Sequence, residues 1–180
     1  MTYYGSQELA TAFRTVRTNT IKIAEDIPED KYAFRPAPGA MSVAETLAHI
    51  AANSEGQYDM HAVKKITSFI GLDFDAWRKE RAEAEAALGA KGKSGIVDAL
   101  RRNGDQWASY LAHTSEADLA QPITFPSHFT PPSKSRFEML LSAKEHEMHH
   151  RGQLMVVERL LGIVPHLTRE REARMGAPAR

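Results

Sequence analysis

The sequence lacks several features that would assign the protein to a large functional class. It contains no cysteine, so it forms no disulfide and has no thiolate to serve as a metal ligand or nucleophile. Its 23 basic and 23 acidic residues leave no net charge, which gives no electrostatic reason to expect a nucleic-acid partner or an anionic membrane surface. No stretch approaches the roughly 20 apolar residues of a membrane span, and the first residues show no signal-peptide pattern. We therefore expect a soluble, cytoplasmic protein.

Four segments carry the hydrophobic periodicity of amphipathic helices. These segments are residues 6–26, 42–66, 94–113 and 135–161. Ser42 with Glu45, and Ser135 with Glu138, have the spacing of capping boxes that open the second and fourth helices. Because strand signals are almost absent, the sequence predicts an all-α protein, a four-helix bundle whose long loops are crossovers.

Two internal segments lack a clear period. Residues 67–93 mix short apolar patches with a charged, alanine-rich run, and we expect at most a short extra surface helix there. Residues 122–133 are rich in proline and predict a crossing loop with a short extended piece at residues 123–125. Residues 1–165 are expected to form one domain, and residues 166–180 a charged C-terminal tail that packs loosely.

Two histidines stand on the core-facing stripe of the fourth helix. His146 and His150 are one turn apart, separated by about 40° on the helix surface. Buried imidazoles are costly unless their nitrogens find partners, which are either hydrogen bonds or, for a pair at this spacing, a shared divalent metal. His49 lies on the inward stripe of the second helix and is the best candidate for a third ligand. We predict a metal site at His49, His146 and His150 that leaves coordination positions open for water or substrate.

The same stretch, HEMHH at residues 146–150, matches the HExxH pattern of zinc peptidases. The extended form of that motif requires a glycine and a histidine where this chain has Gln153 and Val156. Glu147, which would be the base, projects about 80° away from the centre of the histidine pair. A zinc peptidase is therefore the less favoured interpretation.

Other polar side chains are candidates for supporting roles. The candidates for a general base are Glu147, His149 and His128. The candidates for lining the pocket, with ordinary solvated amides as the alternative interpretation, are Asn53, Gln57 and Gln153.

The fourth helix carries a second apolar stripe, roughly opposite its histidines. This stripe consists of Phe137, Leu141, Met148 and Met155. A bundle helix that is apolar on two sides needs two partners, so we predict a homodimer; the alternative is that residues 67–93 cover the stripe.

Two segments together resemble the DinB/YfiT-like superfamily of metal-binding four-helix bundles. They are FRPAPGAMSVAETLAHIAAN at residues 34–53 and HEMHHRGQLMVVERLLGIVPH at residues 146–166. The resemblance implies an up-down-down-up bundle with a divalent metal, typically zinc or nickel, held by three histidines. By motif position these are His49, His146 and His150. Related members include glutathione-, mycothiol- and bacillithiol-dependent transferases and isomerases, and the family tends to dimerise.

Two functions remain open from the sequence. The first is a divalent-metal-dependent enzyme, a hydrolase or a low-molecular-weight-thiol transferase, in which the ion activates water or the thiol against a small-molecule substrate. The second is a non-catalytic, metal-stabilised bundle that binds small molecules or serves in a stress response.

Overall fold

The computed structural model describes residues 4–176, and most of them are helical. Its elements, in chain order, are α1 (Ser6–Asp26), a 3₁₀ turn (Glu29–Lys31), α2 (Val43–Tyr58), a π-helical turn (Asp59–Val63), α3 (Phe74–Gly89), α4 (Gly92–His113), α5 (Glu116–Ala120), β1 (Pro122–Thr124), β2 (Ser133–Ser135), α6 (Arg136–Leu160) and α7 (His166–Met175). The two strands form one antiparallel hairpin, so the all-α prediction is confirmed. Within the described residues, no helix combines the length and the apolar composition of a membrane span.

Both predicted capping boxes are present, and each opens a helix that carries candidate ligands. The Ser42 hydroxyl accepts from the Glu45 amide at 3.2 Å, and the Glu45 carboxylate accepts from the Ser42 amide at 2.8 Å. Ser135 and Glu138 repeat this exchange at 3.2 and 2.9 Å. Each box satisfies amide groups that the first helical turn leaves without partners. The start of α2 and the start of α6 are therefore fixed by local sequence.

The long helices α1, α2, α4 and α6 form the bundle, and two core clusters give their directions. One cluster holds the end of α1 together with the starts of α2 and α4 and the end of α6; its members include Ile23, Ile27, Leu47, Ile96, Leu100, Leu154 and Val157. The other cluster holds the start of α1, the end of α4 and the start of α6; its members include Leu9, Phe13, Trp107, Leu111 and Leu140. Helices α1 and α6 thus run one way while α2 and α4 run the other.

The order of the helices around the bundle explains the long connections. Helix α1 packs against α4 and α6, and α2 packs against the same two helices. Chain neighbours α1 and α2 therefore occupy opposite corners, and so do α4 and α6. This arrangement is the up-down-down-up four-helix bundle, and its two diagonal connections are the expected crossovers.

The segment after α2 differs from the prediction. The α-helix ends at Tyr58, a π-helical turn continues it to Val63, and Lys65 has φ of +49°. A residue in this left-handed region ends a helix, so helical structure stops before the predicted residue 66. The extra surface helix expected within residues 67–93 is α3, and its 16 residues pack against α2.

The C-terminal segment also differs from the loosely packed tail that the sequence led us to expect. Residues 166–175 form α7, which ion pairs attach to α1: Lys22 with Glu170 at 2.8 Å and Asp26 with Arg169 at 2.6 Å. The His166 side chain at its start is buried. Two of the alternating charges of α7, Arg169 and Glu170, have partners on α1, which no local pattern in the tail reveals. Residues 177–180 lie outside the described residues, and the domain boundary at residue 165 stays a prediction.

The predicted dimer stripe on α6 is mostly covered by the chain itself. Phe137 and Leu141 are half-buried against the cluster at the start of α1, and Met155 packs against the other cluster. Met148 is 42% exposed. Two further apolar side chains of α6, Val156 and Leu160, are exposed as well. The homodimer stays a prediction. The exposed apolar face of α6 that it would use is centred nearer the end of the helix than the sequence indicated.

Candidate metal centre

The structure brings together three imidazoles from two helices. His49 comes from α2, and His146 and His150 come from consecutive turns of α6. The His146 Nε2 atom lies 3.0 Å from His49 Nε2 and 3.2 Å from His150 Nε2. One ligand atom from each of the three lies within 4.8 Å of the others. The chain thus assembles three nitrogen donors at the place that the sequence indicated.

The outer nitrogens of two of these histidines have oxygen partners. His49 Nδ1 lies 2.9 Å from a carboxylate oxygen of Glu85 on α3, and His150 Nδ1 lies 2.9 Å from the amide oxygen of Gln153. Because these oxygens only accept, each Nδ1 carries the hydrogen and each Nε2 presents a lone pair. Oxygen partners of this kind orient metal-ligating histidines in proteins. The Nδ1 atom of His146 is buried and has no hydrogen-bond partner among residues 4–176.

The surroundings keep the two α6 histidines neutral. Burial lowers the pKa of His146 to about 4, and the neighbouring imidazoles of His150 and His49 and the guanidinium of Arg81 act in the same direction. Burial also lowers the pKa of His150, although its hydrogen bond with Gln153 opposes that shift. A neutral imidazole is the form that binds a metal, so at neutral pH these nitrogens do not have to lose a proton before binding one.

The donor set fits a divalent ion of the later first-row metals. Imidazole nitrogens suit zinc, nickel, copper and iron, whereas magnesium and calcium take oxygen ligands. Three protein ligands leave at least one coordination position of such an ion for water or substrate, as in catalytic zinc sites. His49, His146 and His150 are the residues that would hold the ion.

Glu147, the acidic residue of HEMHH, lies in a different environment. Its carboxylate accepts two hydrogen bonds from Arg17 of α1, from Nε and from Nη2, each 2.9 Å long, and the two side chains are 2% and 5% exposed. The guanidinium also donates to the Leu100 carbonyl at 2.6 Å and to the Ser54 hydroxyl. Gly104 of α4 leaves the space that Arg17 occupies, since a Cβ there would lie 2.8 Å from the Arg17 side chain. Both carboxylate oxygens of Glu147 are thus held by a structural ion pair.

The other two candidates for a general base are exposed. His149 is next to the centre: its ring centroid is 5.0 Å from that of His150, and its Nε2 lies 3.1 Å from the Gln153 amide nitrogen. His128 lies between β1 and β2, where its ring packs against Phe129 at 4.6 Å. The structure places His149 beside the three imidazoles and shows no contact between His128 and them.

The pocket candidates have separate surroundings. Asn53 is buried, and its amide oxygen accepts a 2.8 Å hydrogen bond from Arg81. The side-chain oxygen of Gln57 is buried without a hydrogen-bond partner in the described part of the chain. Gln153 connects His150 with His149. Asn53 is therefore part of a network around the histidines rather than a solvated amide.

Sequence reasoning missed two residues of α3 that complete this network. One oxygen of Glu85 contacts both His49 Nδ1 and Arg81 Nε, at 2.9 and 3.0 Å. In sequence, Arg81 and Glu85 are an ordinary i,i+4 pair on a charged helix, which usually indicates a solvated face. Only the packing of α3 on α2 shows that their side chains, each 24% exposed, lie against His49. No signal in the sequence alone separates the two cases.

Two clefts flank α3. A cleft of about 920 Å³ lies between α3 and the segment that joins α1 to α2, and Glu85 lines it. A second cleft of about 460 Å³ lies between α3 and the end of α2, and Arg81 lines it. Neither of these clefts is lined by His146 or His150. The clefts adjoin the network around the three histidines where Glu85 and Arg81 line them.

Comparisons with known proteins agree with this fold. The family model of the DinB superfamily matches residues 12–154, a range that includes all three histidines of the centre. The uncharacterised protein YjoA of Bacillus subtilis (strain 168) is 26% identical over 157 residues, which cover 87% of this chain and 91% of YjoA.

Solved structures with little sequence identity have the same fold. YfiT from Bacillus subtilis, described as a probable metal-dependent hydrolase with an unusual four-helix bundle topology, matches with a TM-score of 0.67 at 16% identity over 91% of each chain. The colibactin self-resistance protein ClbS, solved in complex with a double-stranded DNA, matches with a TM-score of 0.64 at 14% identity over 86% of this chain and 95% of ClbS. These likenesses show a shared bundle architecture.

Proposed function

The chain belongs to the DinB superfamily, and on that premise we propose that it is a divalent-metal-dependent enzyme that acts on a small molecule. We propose His49, His146 and His150 as the metal ligands, zinc or nickel as the ion, and a hydrolase or a low-molecular-weight-thiol transferase as the reaction type. The proposal gives the bundle core a catalytic role rather than a purely structural one.

The observation that carries the proposal is the convergence of the three Nε2 atoms. Two of them present lone pairs toward the third at 3.0 and 3.2 Å, in a half-buried place where neutral imidazoles are favoured. Lone pairs that face one another are unfavourable unless a proton or a cation lies between them. A divalent ion would satisfy all three nitrogens at once.

Residues of the chain would have separate roles around such an ion. Glu85 and Gln153 hold the His49 and His150 rings in the tautomer that presents Nε2. His149, exposed and joined to His150 through Gln153, is the best placed of the candidate bases to accept a proton from a nucleophile. The ion itself would supply Lewis acidity that makes water or a thiol nucleophilic at neutral pH.

The hydrolase alternative has support from the description of YfiT as a probable metal-dependent hydrolase. The thiol-transferase alternative rests on the activities of other family members. The ion pair of Glu147 with Arg17 argues against a peptidase, because the base of an HExxH site must be available to the reacting water. The balanced net charge favours a small molecule over nucleic acid as substrate.

Activity screens across metals test the proposal. Protein stripped with chelator and reloaded with zinc, nickel or other divalent ions is assayed for ester and amide hydrolysis and for conjugation of glutathione, mycothiol and bacillithiol. We expect turnover that needs the metal, that His150→Ala abolishes, and that His113→Ala, an exposed histidine on α4, leaves unchanged. Turnover that survives in His150→Ala, or that does not need metal, would contradict the proposal.

The competing function is a non-catalytic bundle that the metal only stabilises. In that case His49→Ala would lower the melting temperature of the metal-loaded protein, while no screen would detect turnover that the substitution removes. Turnover that is lost in folded His150→Ala protein rejects this alternative.

A further inference from the structure

The guanidinium of Arg81 is held in place by several contacts within the chain. Its Nε donates to Glu85 at 3.0 Å, its Nη2 donates to Asn53 at 2.8 Å, and its guanidinium lies 5.7 Å from the centroid of the Trp77 ring. Three contacts from two helices fix the plane of the guanidinium. The remaining group, Nη1, donates no hydrogen bond to any of residues 4–176 and is not among their fully buried polar atoms. An immobilised guanidinium therefore keeps one donor group for a ligand.

The cleft beside Arg81 is apolar inside and has charged side chains at its rim. Its volume is about 460 Å³, and its apolar lining consists of Ala52, Met60, Ile66, Leu72, Trp77 and Ala84. Two of its three carboxylates have partners: Asp59 pairs with Lys64 at 2.6 Å, and Glu55 accepts from Asn103 at 3.1 Å. Asp59 raises the pKa of Lys64 through its hydrogen bond and its charge, and the charge of the exposed Glu80 adds a smaller effect in the same direction. Glu55 and Glu80 thus keep their charge at the rim, and Arg81 is the cation of the lining that has a free donor group for an anion.

A metal ion at the histidines would favour an anion near Arg81. Glu85 and Arg81 offset each other. A divalent ion at the three imidazoles would therefore give this part of the molecule a positive charge. A guanidinium donor group binds carboxylates with directed, charge-assisted hydrogen bonds, and an apolar cleft beside it holds the body of such a ligand.

We propose that Arg81 and the cleft between α3 and the end of α2 bind a small organic carboxylate with an apolar body, as the substrate-recognition part of the metal site. This inference rests on the metal-dependent function in so far as the ligand is taken to be a substrate. A single oxygen of Glu85 joins Arg81 to His49. Arg81 therefore connects the cleft with His49 through Glu85, although none of the three histidines lines the cleft.

The probe for this site is 3-phenylpropionate, compared with its neutral amide, 3-phenylpropanamide. Binding is followed by chemical-shift titration of backbone amides, with those of Ala52, Gly56 and Ala84 reporting on the cleft. We expect saturable shifts at these amides with the carboxylate and an affinity at least tenfold weaker for the amide. Equal affinities, or no shifts with millimolar carboxylate, would overturn the proposal without recourse to any variant.

Two matched variants locate the carboxylate. Arg81→Gln removes the proposed partner, whereas Arg78→Gln removes an exposed arginine three residues earlier in α3. We expect Arg81→Gln to weaken carboxylate binding at least tenfold and Arg78→Gln to leave it unchanged. Unchanged carboxylate binding in folded Arg81→Gln overturns the assignment. If Arg81→Gln does not fold, the comparison of the acid with the amide in the natural protein tests the assignment instead.

The titration is run on metal-free and metal-loaded protein, and metal content is measured separately. Persistence of carboxylate binding in metal-free protein is expected, because Arg81 belongs to the chain. Carboxylate binding that requires the metal and ignores Arg81→Gln would mean that the ion holds the ligand, which overturns this inference and leaves the proposed function intact. Absence of metal binding together with Arg81-dependent binding would overturn the proposed function and leave the cleft assignment intact.

Discussion

Adjacent residues of α6 lie in two polar environments, and these environments satisfy their buried polar groups in different ways. On one side, Glu147 is buried in a bidentate ion pair with Arg17, and further groups of the chain accept the remaining hydrogen bonds of that arginine. On the other side, His146 and His150 are less deeply buried, and their Nε2 atoms face each other at 3.2 Å. Both sides take polar groups out of water, but the Glu147 carboxylate contacts an opposite charge directly, whereas the Nε2 atoms of His146 and His150 face another nitrogen.

This difference separates the role of the glutamate from the role of the histidines in the HEMHH motif. A carboxylate whose oxygens are both held by a buried arginine contributes to the fold and is not available as a base. The Nε2 atoms of the three histidines converge, and oxygen partners orient the outer nitrogens of His49 and His150. A cation is a partner that fits between these Nε2 atoms. We therefore propose that the motif marks a metal centre in which His146 and His150 bind the ion, while Glu147 stabilises the packing of α6 on α1.

The largest effect is expected from breaking the ion pair. Glu147→Gln leaves Arg17 buried without its counter-charge, and removing one member of a buried pair costs about 3–5 kcal/mol. We expect the free energy of unfolding in urea to fall by about this amount in chelator-treated protein. The matched control is Glu145→Gln, an exposed position on the same helix, where the change should stay within about 0.5 kcal/mol. Equal effects of the two substitutions would show that the ion pair contributes little.

The next effect concerns the histidine side and appears only when metal is added. A free metal concentration 100 times the dissociation constant should stabilise the natural protein by about 2.7 kcal/mol. We expect the same increment in Glu147→Gln, since its histidines are intact, and no increment in His150→Ala. The measurement is urea unfolding with and without zinc or nickel. A metal increment that disappears in Glu147→Gln would contradict the separation of the two sides.

A smaller effect is expected from the second buried glutamate of α6. Glu158 is fully buried, and neither of its carboxylate oxygens has a hydrogen-bond partner among residues 4–176. Burial raises its pKa to about 7, the charge of Asp26 acts in the same direction, and Arg169 and Arg159 oppose it. Because the folded state keeps this proton above the pH at which the unfolded chain loses it, the stability that the proton contributes falls as pH rises from about 4.5 to about 7.

Comparing Glu158→Gln with the natural protein isolates that effect. The variant cannot lose a proton there, so its stability relative to the natural protein should increase between pH 4.5 and 7 and then level off. The lowered pKa of His146 gives a slope of the opposite sign, but it is present in both proteins and cancels in their difference. Urea unfolding of chelator-treated protein across this pH range is the measurement. A difference that does not vary with pH would rule out titration of Glu158 in this range.

The smallest effect on stability is expected at the exposed apolar face of α6. Met148→Glu changes a side chain that is 42% exposed, so the free energy of unfolding of the monomer should change by no more than about 0.5 kcal/mol. If the predicted homodimer uses this face, the substitution should shift sedimentation from dimer to monomer. Gly152→Ser, on the same side and with open space around its Cβ position, is the milder companion. A natural protein that sediments as a monomer would contradict the dimer.

Much of the fold could be predicted because its determinants are local. The α1 boundaries follow from hydrophobic spacing, and the starts of α2 and α6 follow from capping boxes in which Ser42 and Ser135 are the first partners. The grouping of His49 with His146 could be predicted, because both histidines lie on inward-facing stripes of their helices and their buried nitrogens need partners. Local signals of this kind span four or fewer residues, so tertiary contacts are not needed to interpret them.

The parts that could not be predicted depend on contacts between distant segments. Arg81 and Glu85 belong to an alanine-rich helix whose sequence is that of a solvated surface, and only its packing on α2 brings them to His49. The partner of Glu147 is 130 residues away. A signal for it existed, since Arg17 interrupts the apolar stripe of α1 and a buried charge needs a counter-charge, but the sequence did not say which acidic residue would provide it.

The central claim is that His146 and His150 of HEMHH bind metal while Glu147 does not take part. The most direct test is the metal content per folded chain, measured by mass spectrometry after reloading of tag-free protein, for the natural sequence, His146→Ala and Glu147→Gln. We predict about one zinc or nickel ion for the natural protein and for Glu147→Gln, and close to none for His146→Ala. Equal metal content in His146→Ala and the natural protein, or no metal in either, would contradict the account.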